Sequence, residues 1–232
     1  MSSPIAMLKR LLPDREMDLR ILRGPLRGGI FHARPQSSLR KVFGLYEHEL
    51  NAWLATVLPH IDLVIDVGAN DGYFTFGCAA AIRRCGKAAR VIAFEPNAFH
   101  VRQLEQARDT AGLAEASIQI IPSYVGRAGA SQTVALDQFV GEIWERALIK
   151  IDVEGAELNV IAGGQTWLRP TNFFLIEIIE IHNQDYLAAV WGMFSDAGIE
   201  LEQINQRPLP LLGRETRDVA NWWLVTDLAK QG

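Results

Sequence analysis

The stretch DLVIDVGANDGYFTFG, residues 62–77, decides how the rest of the chain is read. Its first seven residues are a short apolar run ending at Asp66 and Gly68, and an Ala-rich segment continues from Tyr73 to Cys85. A short apolar run closed by glycine predicts a buried strand, and the longer segment after it predicts a helix. Glycines at a strand-to-helix junction let backbone approach a ligand, and the helix N-terminus offers free N–H groups. A dinucleotide site would show G-x-G-x-x-G, but this loop reads G-A-N-D-G and fails at the second glycine. Asp66 and Asp71 also make it a poor cradle for a pyrophosphate. An acidic glycine loop suits an ammonium or sulfonium centre instead.

Outward from this unit the pattern alternates. RVIAFEP (90–96) reads as a second strand, with Pro96 opening a helix to about Arg108. SIQIIP (117–122) and ALIKIDVEG (147–155) read as further strands, the latter followed by a helix over 156–168. FFLIEIIEI (173–181) is a fifth strand and residues 184–197 another helix. IELEQI (199–204) and NWWLVTD (221–227) form a closing pair, with Trp222 and Trp223 on opposite faces. Upstream, residues 1–18 read as a loose arm or weak amphipathic helix. LRILRGPLRGGIFHARP then reads as a hairpin of short strands, and a helix runs from Tyr46 to Leu58. Strands alternating with helices predict an α/β fold, a mostly parallel sheet covered on both faces. Such sheets bind ligands at the carboxyl ends of their strands.

Length and charge bound the rest. The 232 residues suit one large domain with a short extension: an arm and hairpin over 1–44 and the main domain over 45–232. A net charge of −4 argues against bulk nucleic-acid binding, although residues 1–41 carry nine Lys/Arg against three acids. Cys78 and Cys85 lie too far apart in one helix to bridge, and free thiols suit a reducing compartment. No run approaches 18 apolar residues, so the expectation is a cytoplasmic protein without a transmembrane segment. Nothing in the composition excludes a homo-oligomer.

Glu95 ends the second strand, 29 residues after Asp66, where an acid can accept hydrogen bonds from both hydroxyls of a ribose. Asp66, Gly68, Ala69, Asn70, Gly72 and Tyr73 on the loop, with Glu95, Pro96 and Asn97 at the next strand end, describe an S-adenosylmethionine site. In KIDVEGAE (150–157), Asp152 and Glu154 fall at a strand's carboxyl end, Gly155 makes the turn and Glu157 enters the next helix. Lys150 shares a strand face with Asp152 and reads as its structural partner. Three roles are open to these acids: a general base, an orienting group for the acceptor, or ligands of a divalent cation, the least favoured of the three. No residue is singled out as a metal ligand. His182 is a second candidate base at the end of the fifth strand, and Glu180 and Tyr124 are candidates to line the acceptor pocket.

DVGANDGYFTF, AFEPN and KIDVEGAE, in that order, resemble the FkbM-type methyltransferase family. RGPLRGG and GLYEHEL resemble the hairpin and lead-in helix that precede its first motif, and TVALDQFV (133–140) its "TLDD" segment. The resemblance spans about residues 20–182. It implies a class I methyltransferase (Rossmann-like) fold, with a mostly parallel seven-stranded sheet, helices on both faces and a small N-terminal hairpin extension. It also implies S-adenosylmethionine as methyl donor and O-methylation of a sugar or natural product, as in secondary metabolism. Carried over by position, Asp66, Gly68, Asn70, Gly72 and Glu95 hold the cofactor, and Asp152, Glu154 and Glu157 stand at a small-molecule acceptor. Two alternatives are N-methylation of an amine or guanidine, and a cofactor-binding module without catalysis, suggested by the short segment after Gly129. A nicotinamide-dependent dehydrogenase ranks last, on its glycine spacing.

Overall fold

Five apolar runs become the parallel heart of the sheet in the computed structural model, which describes residues 11–129, 132–140, 146–179, 184–207 and 221–230. A two-stranded antiparallel hairpin, β1 (Met17–Arg20) and β2 (Ile30–Ala33), comes first, and helix α1 (Pro35–Val42) follows it. The central sheet takes β3 (Leu63–Val67), β4 (Arg90–Phe94), β5 (Ile118–Ile121), β8 (Ala147–Ile151), β9 (Phe173–Ile179), β10 (Leu201–Asn205) and β11 (Asn221–Thr226). Its order is β10-β11-β9-β8-β3-β4-β5, with β11 antiparallel to both neighbours and the other pairs parallel. The short β6 (Tyr124–Val125) and β7 (Thr133–Val134) pair separately.

Helices α2 (Asn51–Val57), α3 (Tyr73–Arg84) and α4 (Ala98–Thr110) cover one face together with the hairpin. Helices α5 (Glu157–Ala162) and α6 (Gln184–Asp196) cover the other. Apolar positions alternate between two cores, so Leu148 and Leu175 meet Trp53, Phe74 and the hairpin's Phe31, while Ile149, Ile151 and Ile176 meet Val160 and Phe194. Trp223 is fully buried in the first core and Trp222 packs against the second, as strand alternation requires. The N-terminal elements therefore share the core of the sheet. Trp53 also donates its indole N–H to the carbonyl of Thr226, 3.0 Å away on the last strand.

Some expected elements are shorter than the pattern suggests. The helix expected from Tyr46 begins as a 3-10 turn at His48–Leu50 and becomes α2 only at Asn51. Pro96 lies before the start of α4, whose cap is Asn97, its side chain accepting the Phe99 N–H at 2.9 Å. The helix expected over 156–168 stops at Ala162 and resumes as a 3-10 turn, Gln165–Trp167. A Cβ on Gly163 would stand 2.0 Å from the Gly126 carbonyl oxygen, so that glycine admits a backbone crossing instead of a further turn. Helix α1, which the periodicity did not mark, fills the connection behind Pro35. The expected N-terminal helix lies mostly in residues 1–10, outside the described residues; Met17 and Asp18 belong to β1.

Candidate active site

Strand order reverses between β3 and β8, the place where a doubly wound sheet opens onto its ligand. At this point Asp66 of β3 stands in register with Lys150 of β8, both on the face covered by α3. Asp66 is fully buried, and its Oδ2 accepts the Thr75 hydroxyl at 2.5 Å. Its Oδ1 has no hydrogen-bond donor and lies 3.7 Å from Lys150 Nζ. Burial raises the Asp66 pKa, against the pull of Lys150 and Thr75.

Lys150 Nζ reaches Asp152 Oδ2 at 2.8 Å and stands over the Phe74 ring at 5.6 Å. Burial alone would discharge this ammonium, but Asp152, Asp66 and Glu47 together raise its pKa and keep it charged. Asp152 keeps a quarter of its side chain exposed. Burial pushes its carboxyl up, but Lys150 and a hydrogen bond with Glu177 hold it below the ordinary value. Glu177 follows from register, since β9 sets Leu175 beside Lys150 and so brings residue 177 to the same face beyond the end of β8.

The loop from Gly68 to Gly72 is shaped by contacts of its own. Gly68 and Gly72 have φ of 84° and 83°, and the intervening Asn70 has 51°. The N–H groups of Gly68 and Ala69 both donate to the Phe94 carbonyl of β4. Glu95, 6% exposed, accepts the Asn70 N–H on one oxygen at 2.8 Å and the Asn97 N–H on the other at 2.9 Å. Both oxygens keep a further lone pair. Ala69 and Tyr73 are buried, whereas Asn70, Pro96 and Asn97 are exposed around this carboxylate.

The third wall comes from the lead-in, the chain ahead of the glycine loop. Lys41 of α1 pairs with Asp71 at 2.5 Å and lies over the rings of Tyr46 (5.0 Å) and Tyr73 (5.8 Å). Tyr46 packs edge-on against Tyr73. Glu47 follows, half-buried, where loss of hydration raises its carboxyl from 4.5 to about 7, opposed by Lys150. Glu47, with burial behind it, in turn raises the Tyr46 hydroxyl well above its usual value. Lys41, Tyr46, Glu47 and Glu177 thus join the site without having been singled out in the sequence. A single Glu after an aromatic residue carries no signal until the fold shows what it faces.

The remaining candidates are spread out. Glu154 is exposed in a left-handed turn at φ 46°, just past the end of β8. Glu157 is fully buried: one oxygen accepts the Gly155 N–H at 2.8 Å and the other the Tyr186 hydroxyl at 2.5 Å. Those bonds brace the turn that carries Asp152 and Glu154. Tyr124 is 57% exposed beyond β5, at the same edge of the sheet. Glu180 and His182 lie outside the described residues.

This donor set fits S-adenosylmethionine. Asp66, Asp71 and Asp152 outnumber Lys41 and Lys150, which favours a cationic sulfonium and ammonium, and Glu95 offers acceptors suited to ribose hydroxyls. Among the described residues no group of three His, Cys, Asp or Glu is arranged to hold a metal ion.

Comparison with known proteins shows the family. The model of the methyltransferase FkbM domain matches residues 66–132 and 130–201. The hexuronic acid methyltransferase AglP of Haloferax volcanii is 30% identical over 182 residues, 68% of this chain and 72% of that protein. Among solved structures, a methyltransferase FkbM from Methylobacillus flagellatus superposes with a TM-score of 0.52 at 16% identity, over 79% of this chain and 54% of its own. The METTL16 methyltransferase domain superposes with a TM-score of 0.50 at 13% identity, over 77% of this chain and 66% of its own.

Proposed function

Because the chain belongs to the FkbM methyltransferase family and uses S-adenosylmethionine, we propose that it methylates a hydroxyl of a sugar, with a uronic acid glycoside as the first acceptor to test. The observation that carries this reading is the acid-lined opening at the carboxyl ends of β3, β4 and β8, where Asp152 is the part-exposed member of a buried ion-pair group. The named substrate class of the Haloferax relative supports a sugar acceptor.

The cofactor, when bound, supplies a methyl group on a sulfonium sulfur. Asp66, Gly68, Ala69, Asn70, Gly72 and Tyr73 hold its amino-acid portion, and Glu95, with Pro96 and Asn97 beside it, receives the ribose. Asp152, fixed by Lys150, orients the acceptor hydroxyl; holding it in line with the reacting methyl supplies much of the acceleration. Glu154 and Tyr124 stand at the rim and Glu157 positions the turn; His182 as a second base and Glu180 as an acceptor contact belong to the same proposal, outside the described residues. The same reading divides the chain after residue 44 into an extension and the methyltransferase domain. It takes the enzyme to be cytoplasmic, a reading supported by the free thiols Cys78 and Cys85.

Calorimetry with S-adenosylhomocysteine, followed by transfer of labelled methyl to p-nitrophenyl glucuronide with and without EDTA, tests this. Cofactor-product binding with EDTA-insensitive transfer to oxygen is expected. Failure to bind would sink the reading, and transfer only to amine acceptors would replace it with N-methylation.

A further inference from the structure

The geometry points to Glu47, carried on the lead-in ahead of the glycine loop, as the catalytic residue that takes the proton from the acceptor hydroxyl; this rests on the methyl-transfer reading above. The lead-in is built to place that side chain. Gly44 has φ 66°, and a Cβ there would stand 2.4 Å from the Arg23 carbonyl oxygen, so glycine lets the segment lie against the hairpin. The Leu45 and Tyr46 N–H groups both donate to the Arg40 carbonyl, and the Asn51 amide donates to that of Gly44. Held at both ends, Glu47 adopts φ 50°, a conformation that non-glycine residues rarely hold without compensation.

Four non-glycine residues have positive φ among the described residues, and three of them, Glu47, Asn70 and Glu154, belong to this site. Backbone strain concentrated in one place marks where function over-determines conformation.

The surroundings suit a base. Tyr46 hydrogen-bonds the Glu47 carboxylate, and the charges of Lys150 and Asp152, from β8 and the turn beyond, and of Lys41, from α1, act on it. Behind these stand Asp71, paired with Lys41, Glu177, bonded to Asp152, and Tyr73, whose hydroxyl feels the Glu47 charge. Asp152 is the weaker base because Lys150 stabilises its anion, whereas Glu47, at about 7, is matched to neutral operation. In the transfer the acceptor oxygen forms the new bond to the methyl carbon as the carbon–sulfur bond breaks, its electron pair remaining on sulfur. The hydroxyl proton passes to Glu47, so the carboxylate and the sulfonium lose their charges together.

The test compares the full chain with Glu47→Gln and Glu47→Asp. Glu47→Gln is expected to bind S-adenosylhomocysteine within about twofold of wild type while transfer to p-nitrophenyl glucuronide falls about 100-fold or more, with partial recovery in Glu47→Asp. The acid limb of the kcat/KM profile near neutrality should vanish with Glu47. Turnover of Glu47→Gln within about threefold of wild type, or a surviving limb, overturns the assignment. Titration of 13C-carboxyl-labelled glutamate needs neither acceptor nor cofactor, so it separates failure of Glu47 from failure of the methyl-transfer reading. A signal moving near pH 7 and absent from Glu47→Gln supports the proposal; glutamate signals all titrating below about pH 5.5 overturn it.

Discussion

A Cβ on Gly68 would lie 1.9 Å from the carbonyl oxygen of Asp152. The first glycine of the cofactor loop is therefore also what lets the acid-bearing end of β8 pass beside β3. The Asp152 N–H donates to the Val67 carbonyl at 3.0 Å, holding the two segments together at that crossing. Gly68→Ala combines this overlap with a φ of 84° that side chains avoid. It should cost about 3 kcal/mol or more in urea unfolding and abolish S-adenosylhomocysteine binding in calorimetry. A folded variant with wild-type affinity would show the crossing to be tolerant.

Lys150 serves two acids at once, at 2.8 Å and 3.7 Å. Lys150→Met should therefore destabilise the chain by about 3–5 kcal/mol, because it leaves buried Asp66 and Asp152 without their cation. Adding Asp66→Asn and Asp152→Asn should recover part of that loss. A triple variant no more stable than the single would mean the charges are not what Lys150 compensates.

Tyr186→Phe removes the hydroxyl that donates to buried Glu157 and accepts the Leu158 N–H. Thermal and urea denaturation should show a loss of about 1–3 kcal/mol. Affinity for S-adenosylhomocysteine should stay unchanged, since Glu157 braces the turn from behind.

Glu47 also gives stability a pH signature. Its folded pKa, about 7, exceeds the ordinary 4.5, so the folded state holds a proton that the unfolded chain releases. That contribution is complete below about pH 4.5 and is lost as pH rises through about 7. The Tm of wild type relative to Glu47→Gln should fall across this window and level off above it. Asp152, whose pKa is depressed, acts with the opposite sign, and its contribution disappears as pH drops below the usual carboxylate range.

Much of this architecture was legible because burial imposes periodicity. The runs at Leu63–Val67, Ala147–Ile151 and Phe173–Ile179 announce strands closed in on both faces, and Lys150 two residues before Asp152 announces their pairing. The ion pair of Lys41 with Asp71, and the charge of Lys150 felt by Glu47, are of another kind. They depend on how the hairpin and α1 settle against α3, and no local pattern encodes that approach. The early end of α5 was hidden similarly, because Gly163 answers to Gly126, far away in sequence. Glu157 shows the converse limit: its position in the first turn of α5 was readable, but its bond to Tyr186 was not.

The bond from Trp53 to Thr226 ties the lead-in's helix to the last strand across 173 residues of sequence. During synthesis the segment bearing Lys41 and Glu47 leaves the ribosome well ahead of β11, whose Trp223 and Val225 share the core on which that segment's helix α2 docks. A nascent chain can have its cofactor loop in place well before its acceptor wall is anchored. Emergence of β11 thus acts as a late assembly step of the site, and a chain truncated before β11 should leave that wall unseated.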